Sequence, residues 1–333
     1  MSAARRFGSP TDGRADMQTK LRSAAWWMVA ALAVVLGSGC ELAAPEIRGY
    51  AIVFGASEYL ASPLPSVEND ATEMDILLRN QGWEVSLYRD WETSKDQLQE
   101  SIAEIPKAAR ENGMVLFYYA GHGSIYLSAD PDIAPEYYLL PVPAIINTWG
   151  YIDSSELIAP QEIFDLLAEY NVRHPILILD SCFSGGFISE TGVHDGITAD
   201  YYPWSQDTTT DYAFAQLFAL AADATFARLS YTQSGNAVVL AAAGSLEESA
   251  EENSDLSAPY YGHGIFTYYL LQAAADKKAD INNDDYISIG ELLINVQAAL
   301  DANWNVKKKL SPKQVYMPRL SGSHRDYLLF KLP

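Results

Sequence analysis

The chain has 333 residues, 49% of them apolar, which allows one large domain or two modest ones around a substantial core. Its net charge is −21, and without residues 1–39 the balance is 17 basic against 41 acidic residues, or −24. Such a body repels nucleic acid and anionic lipid headgroups and would favour basic partners or cations; solubility alone is the plainer reading of the same charge.

The first segment reads as an address. Lys20 and Arg22 precede an uncharged apolar run, Ala24 to Leu36, which ends in Gly37-Ser38-Gly39 and Cys40. The run falls short of the roughly 20 residues that a spanning helix needs. A positive flank, a short apolar stretch and a small-residue exit make a secretory signal over residues 1–39. The cysteine directly after it resembles a lipobox, in which Cys40 is lipidated and becomes the mature N-terminus. Gly37 stands where a lipobox prefers Leu, so ordinary cleavage near Gly39 and a retained anchor helix stay open. On the lipobox reading the protein is exported and membrane-anchored, facing the periplasm or the cell exterior. The chain has two cysteines, Cys40 and Cys182. Lipidation of Cys40 leaves Cys182 as a thiol in an exported protein, which calls for a reason.

After a linker, residues 40–47, the remaining chain from 48 to 333 reads as one domain. Arg48 to Gly55 is a buried strand, Glu68 to Asn80 a helix and Trp83 to Tyr88 a second strand. Ser94 to Glu111 has helical period. Met114 to Ala120 is a continuous apolar strand closed by Gly121-His122-Gly123. Ser154 to Tyr170 reads as a helix, Ile176 to Asp180 and Ala237 to Ala243 as strands. Two helices, Gly264–Ala275 and Ile289–Asp301, and a strand near Tyr327–Phe330 close the chain. Residues 183–236 form a long insertion with one helical piece around Tyr212–Leu229. Alternating elements with strands apolar on both faces predict an α/β fold: a mostly parallel central sheet flanked by helices on both faces.

In such sheets, ligands bind beyond the carboxyl ends of the strands. Two strands here end in reactive residues, at His122 and at Cys182. A thiol attacks a carbonyl as the thiolate, and a nearby imidazole can take its proton and return it to the leaving amine. Backbone N–H groups at Gly123 and Cys182 can meet the developing oxyanion. This chemistry needs no cofactor. A second Gly-His-Gly, at Gly262-His263-Gly264, opens a helix and is read as a helix start with a structural histidine.

The segments YYAGHGS and LILDSCFSGGF, around His122 and Cys182, resemble the two catalytic segments of the caspase/metacaspase superfamily. VVLAAAGSLEESAE (Val238 to Glu251), GHGIFTYYLLQAA and GASEYLASPLPSVENDATEM resemble bacterial members of it. The resemblance spans about residues 48–330 and implies a cysteine endopeptidase with a caspase-like fold. It makes His122 the base, Cys182 the nucleophile, and Gly123 with the Cys182 amide the oxyanion hole. Asp180 and Asp70 match the acidic pocket residues by which metacaspases select Arg or Lys; one departure is Ala120, where some metacaspases place Ser. The implied partners are protein substrates with basic residues, and no nucleic acid. As plain features, Asp70 would be a helix N-terminal acid and Asp180 a strand-end acceptor. Arg228 is the basic residue in the insertion at which self-cleavage would occur; a single chain that never cuts itself fits the sequence equally. A catalytically silent scaffold and a transpeptidase on the same sheet remain alternatives.

Asp280 to Glu291 has the spacing of an EF-hand loop, with Asp280, Asn282, Asp284, Tyr286 (through its carbonyl) and Glu291 as calcium ligands. Asp285 stands where that loop has Gly. An acidic turn that caps a helix is the alternative reading of the same residues.

Overall fold

The structure is a computed structural model. It describes residues 49–126, 136–145, 147–149, 151–182, 184, 237–244, 249–253, 256–305, 316–322 and 324–332. Cys40, Arg228, the signal-like run and the helical piece expected at Tyr212–Leu229 lie outside these residues. Among the described residues no helix is long and apolar enough to cross a membrane.

In chain order the main elements are β1 (Gly49–Gly55), α1 (Ser66–Asn80), β2 (Trp83–Arg89), α2 (Lys95–Glu104), α3 (Lys107–Asn112) and β3 (Met114–Ala120). A hairpin follows, β4 (His122–Tyr126) and β5 (Glu136–Leu140), then α4 (Pro160–Glu169), β6 (His174–Asp180) and β7 (Val238–Ala241). The chain closes with β8 (Glu251–Glu252), β9 (His263–Gly264), α5 (Ile265–Ala275), β10 (Tyr286–Ser288), α6 (Ile289–Leu300), β11 (Arg319–Ser321) and β12 (Leu328–Lys331).

The central sheet has the order β11-β7-β6-β3-β1-β2. All its pairings are parallel except β11 against β7, at one edge. Alternate residues of each strand feed opposite cores, as the two-residue repeat of a strand requires. Val53, Leu116, Tyr118, Ile178 and Leu240 pack with α1, α5 and α6. Ile52, Phe54, Phe117, Tyr119, Leu177 and Leu179 pack with α2 and α4 on the other face. The expected mostly parallel sheet between two helical layers is the observed architecture.

Two helix expectations are corrected, both by proline. The helical span 94–111 is two helices, because Ile105, ahead of Pro106, is extended (φ −60°, ψ 127°). A residue before proline is driven out of the helical region by the ring. The helix expected from Ser154 begins at Pro160, with Ala159 extended (φ −82°, ψ 154°) for the same reason. The hairpin β4–β5 was not expected; it places His122 at the start of a strand rather than in a turn.

Candidate active site

β3 and β6 are parallel neighbours in a register that sets Ala120 opposite Asp180. Both therefore release the chain at the same end of the sheet, and Gly121 N–H donates to the Asp180 carbonyl at 3.2 Å. Two residues further on, the backbone of Gly123 lies directly on that of Cys182. A Cβ at Gly123 would stand 2.0 Å from the Cys182 carbonyl oxygen and 3.1 Å from Ser181 Oγ, so only glycine fits. The expected juxtaposition of the His and Cys segments is thus produced by strand register alone. Cys182 is a half-buried thiol. Its Sγ–H points to the Ser249 carbonyl at 3.6 Å.

The imidazole of His122 is fixed on two sides. Its ring packs on that of Tyr59, centroids 4.5 Å apart, and Nε2 lies 2.7 Å from the Ser62 carbonyl. A carbonyl only accepts, so Nε2 carries the hydrogen and the basic lone pair is on Nδ1. Burial holds the His122 pKa below the ordinary histidine value, with the Ser62 bond opposing in part. The ring is therefore neutral at pH 7, as a base must be.

The backbone of His122 is held as firmly. Its N–H donates to Tyr59 Oη at 2.9 Å, and Tyr59 donates to the Leu140 carbonyl at 2.6 Å. Tyr119 Oη lies 2.9 Å from the His122 carbonyl and 2.7 Å from that of Leu140. Burial raises both phenols, which therefore keep their protons and donate. The loop carrying Tyr59 and Ser62 is anchored in turn by Asp90. One oxygen of Asp90 accepts from Ser57 N–H at 2.9 Å, Ser57 Oγ at 2.8 Å and Glu58 N–H at 2.8 Å. Asp90 and Ser62 both adopt left-handed backbone (φ 51° and 56°), which a short polar residue tolerates best.

Asp70 and Asp180 come together at the start of α5. Asp70, on α1, is fully buried; it accepts Gly264 N–H at 2.8 Å on Oδ2 and faces His263 Nδ1 at 2.9 Å with Oδ1. Asp180 accepts Ser249 Oγ–H at 2.5 Å on Oδ1, and Thr267 N–H at 3.2 Å and Oγ1–H at 2.7 Å on Oδ2. Tyr118 Oη lies 2.7 Å from Thr267 Oγ1 and extends the network into the core. A Cβ on Gly264 would stand 2.9 Å from one carboxylate and 2.8 Å from the other. Burial raises both acids, Asp70 to about 7. The amides of Gly264, the N-cap of α5, and of Thr267, in its first turn, have no partner within the helix and lie at the positive end of its dipole, which offsets part of the cost.

Ser249 links the two halves of the site: its carbonyl meets the thiol and its hydroxyl meets Asp180. Tyr316 Oη fixes this strap by donating to the Ala250 carbonyl at 2.8 Å, and Glu251 reaches across to cap Ser66 N–H at 3.0 Å. Sequence reasoning missed Tyr59, Ser62, Tyr119, Asp90, Ser249, Thr267 and Tyr316. Ser62 acts through its carbonyl, which leaves no trace in residue type. Tyr119 carried a signal, as one of two phenols, with Tyr118, in a buried strand of otherwise apolar residues.

The EF-hand-like residues share one turn, but they are arranged to cap backbone. Asp280 accepts Asp284 N–H at 3.1 Å and Asp285 N–H at 3.0 Å. Glu291 accepts Ile281 N–H at 3.0 Å, Asn282 N–H at 3.2 Å and Ser288 N–H at 2.9 Å. Asp284 caps Tyr286 N–H, and Asn282 Oδ1 caps Asp284 N–H. Asp285 takes the left-handed backbone (φ 67°) that the loop's glycine position demands. The spacing is that of a calcium loop, and the same carboxylates accept the turn's own backbone amides. Among the described residues no group of three or more His, Cys, Asp or Glu is placed to hold a metal ion.

The class of protein follows from these features: an α/β domain with a thiol and a neutral imidazole at adjacent strand ends of a parallel sheet. The chain belongs to the caspase domain family, which matches residues 48–328 and whose members are cysteine peptidases. No curated protein sequence matches the chain. Solved structures similar to it include the Drosophila initiator caspase Dronc, 12% identical with a TM-score of 0.48 over 87% of this chain and 84% of that one. Caspase-1 from Spodoptera frugiperda is 12% identical, with a TM-score of 0.47 over 87% and 95%. A Geobacter sulfurreducens protein is 14% identical, with a TM-score of 0.46 over 83% and 94%.

Proposed function

We propose that the protein is a cysteine endopeptidase that cleaves after Arg or Lys, with Cys182 as nucleophile and His122 as base. The observation that carries this reading is the neutral imidazole, oriented by the Ser62 carbonyl, on the segment that packs against Cys182. Nδ1 of His122 takes the Sγ proton, and the thiolate attacks the substrate carbonyl carbon. The oxyanion so formed is met by the N–H groups of Gly123 and Cys182. Collapse breaks the C–N bond as the imidazolium returns its proton to the leaving amine. His122 then deprotonates a water, which hydrolyses the thioester and restores the thiol.

Specificity rests on Asp70 and Asp180. Two buried carboxylates with raised pKa values lack a counter-charge of full strength, and a guanidinium or ammonium supplies one. An aspartate substrate would add a third like charge, so the same pair disfavours caspase-type cleavage after Asp. In this reading the protein is exported and lipid-anchored through Cys40, and Arg228 is its own internal cleavage point.

A fluorogenic peptide panel with Arg, Lys or Asp at the cleaved position tests this, with Cys182→Ala as control. Turnover of Arg and Lys peptides, lost in Cys182→Ala, is expected. Turnover of the Asp peptide alone would overturn the pocket reading. Silence on every peptide would favour a caspase-fold scaffold.

A further inference from the structure

The second Gly-His-Gly is not an idle helix start. Each of its residues answers to the acidic pair. Gly262 has a left-handed backbone (φ 79°) and its carbonyl accepts Asn69 Nδ2–H at 2.8 Å, which ties the turn to α1 beside Asp70. Gly264 leaves room for both carboxylates at its α-carbon. His263, between them, sets Nδ1 2.9 Å from Asp70 Oδ1. Nothing in the dyad chemistry uses this histidine.

We propose that His263 is a specificity-determining residue of the same site: it holds Asp70 as an anion for the substrate's basic side chain and yields its own charge when that side chain enters. The proposal rests on the reading of Asp70 as a pocket acid. Buried without a donor, Asp70 would be a neutral carboxyl at pH 7, and a neutral carboxyl does not balance a guanidinium. The Nδ1–H bond and the Gly264 amide oppose this and bring the Asp70 pKa down to about 7, so the anion is present from neutral pH upward. The groups that face the imidazole are Asp70, Glu73 on α1 (3.8 Å from Nε2) and the Tyr268 ring on α5 (centroids 5.9 Å apart). The bond to Asp70 and the two acids together raise the His263 pKa above the ordinary value. The imidazole is also the more exposed partner, 15% against 1% for Asp70, so it exchanges the pair's proton with water.

A guanidinium beside Asp70 and an imidazolium on the same carboxylate repel each other in a dry site, so substrate binding expels the His263 proton. Affinity for Arg peptides is therefore lost as pH falls through the raised pKa values of His263 and of Asp70 itself. That limb belongs to KM. His122, whose pKa is lowered, gives a separate limb in kcat at more acid pH.

The experiment compares Arg with citrulline, its uncharged isostere, at the cleaved position. In the wild type, KM for the Arg peptide rises below the His263 limb and KM for the citrulline peptide does not. His263→Asn keeps a donor near the Nδ1 position; it retains the Arg/citrulline ratio at about pH 8 within about 3-fold, and its KM limb, left to Asp70 alone, is shallower by one proton. His263→Leu removes the donor and cuts the ratio by at least about 10-fold through KM, with kcat within about 3-fold. Melting temperatures confirm that each variant is folded; if neither folds, the wild-type profiles decide. An identical KM limb for both peptides, or an unchanged ratio in His263→Leu while Asp70→Asn abolishes it, overturns the proposal and spares the pocket reading. A ratio that survives Asp70→Asn overturns both.

Discussion

Replacing Asp70 by Asn should make the protein more stable while it blunts recognition of basic side chains. Asp70 titrates near 7 in the fold against an ordinary 3.8. The folded state therefore binds protons more tightly than the unfolded state, and stability falls as pH rises through that window. A shift of about 3 units corresponds to about 4 kcal/mol of lost stability, reached in full above about pH 7. Asn is nearly isosteric but keeps one oxygen, so one of the two donors, His263 Nδ1–H or Gly264 N–H, loses its partner at a cost of about 1–2 kcal/mol. The net gain is about 2–3 kcal/mol at pH 8, or about 4–8 °C in Tm, and it vanishes near about pH 5. Urea unfolding of Asp70→Asn and its parent, both in a Cys182→Ala background to prevent self-digestion, measures this from pH 5 to 8. A difference independent of pH, or an Asn variant less stable at pH 8, would refute the account of Asp70 as a buried acid held against its preference.

Two further changes test other parts of the structure. Gly123→Ala drives a methyl into the Cys182 carbonyl, 2.0 Å away, and the backbone must give way. It should cost about 1–3 kcal/mol of stability by urea unfolding. It should also lower kcat by at least about 100-fold, since the oxyanion amides shift. Glu291→Gln places an amide against the N–H donors of Ile281, Asn282 and Ser288, and should cost about 1–3 kcal/mol. Calcium tests the EF-hand-like loop: a rise in the wild-type Tm that Glu291→Gln abolishes assigns it a bound cation, and an unchanged Tm leaves it a self-capped turn.

The sheet was legible in the sequence because its strands are buried on both faces. MVLFYYA and HPILILD are continuous apolar runs, and their ends carry the chemistry. Their adjacency followed from the parallel rule and is the observed register. What was not legible depends on backbone direction. Whether 94–111 is one helix or two turns on Pro106, and a proline at helical spacing reads equally as a first-turn residue. The Ser62 carbonyl and the Asp90 anchor come from residues whose types are ordinary in loops. The helix-start position of His263 explains it locally as a structural residue, and its partner Asp70 lies far away in sequence.

The acidic pair argues for use rather than architecture. Burying a carboxylate without a full counter-charge costs several kcal/mol, and Asn or Gln could satisfy the same hydrogen-bond donors without that cost. The fold instead spends the start of α5, a histidine, a serine and a threonine on keeping two acids in contact with one glycine. Ser249 then ties one of these acids to the thiol through a single residue. A core that needed only packing would shed both charges. A pair of buried acids, one of them tied to Cys182 through Ser249, is what the proposed selection of a cation at the cleaved position requires.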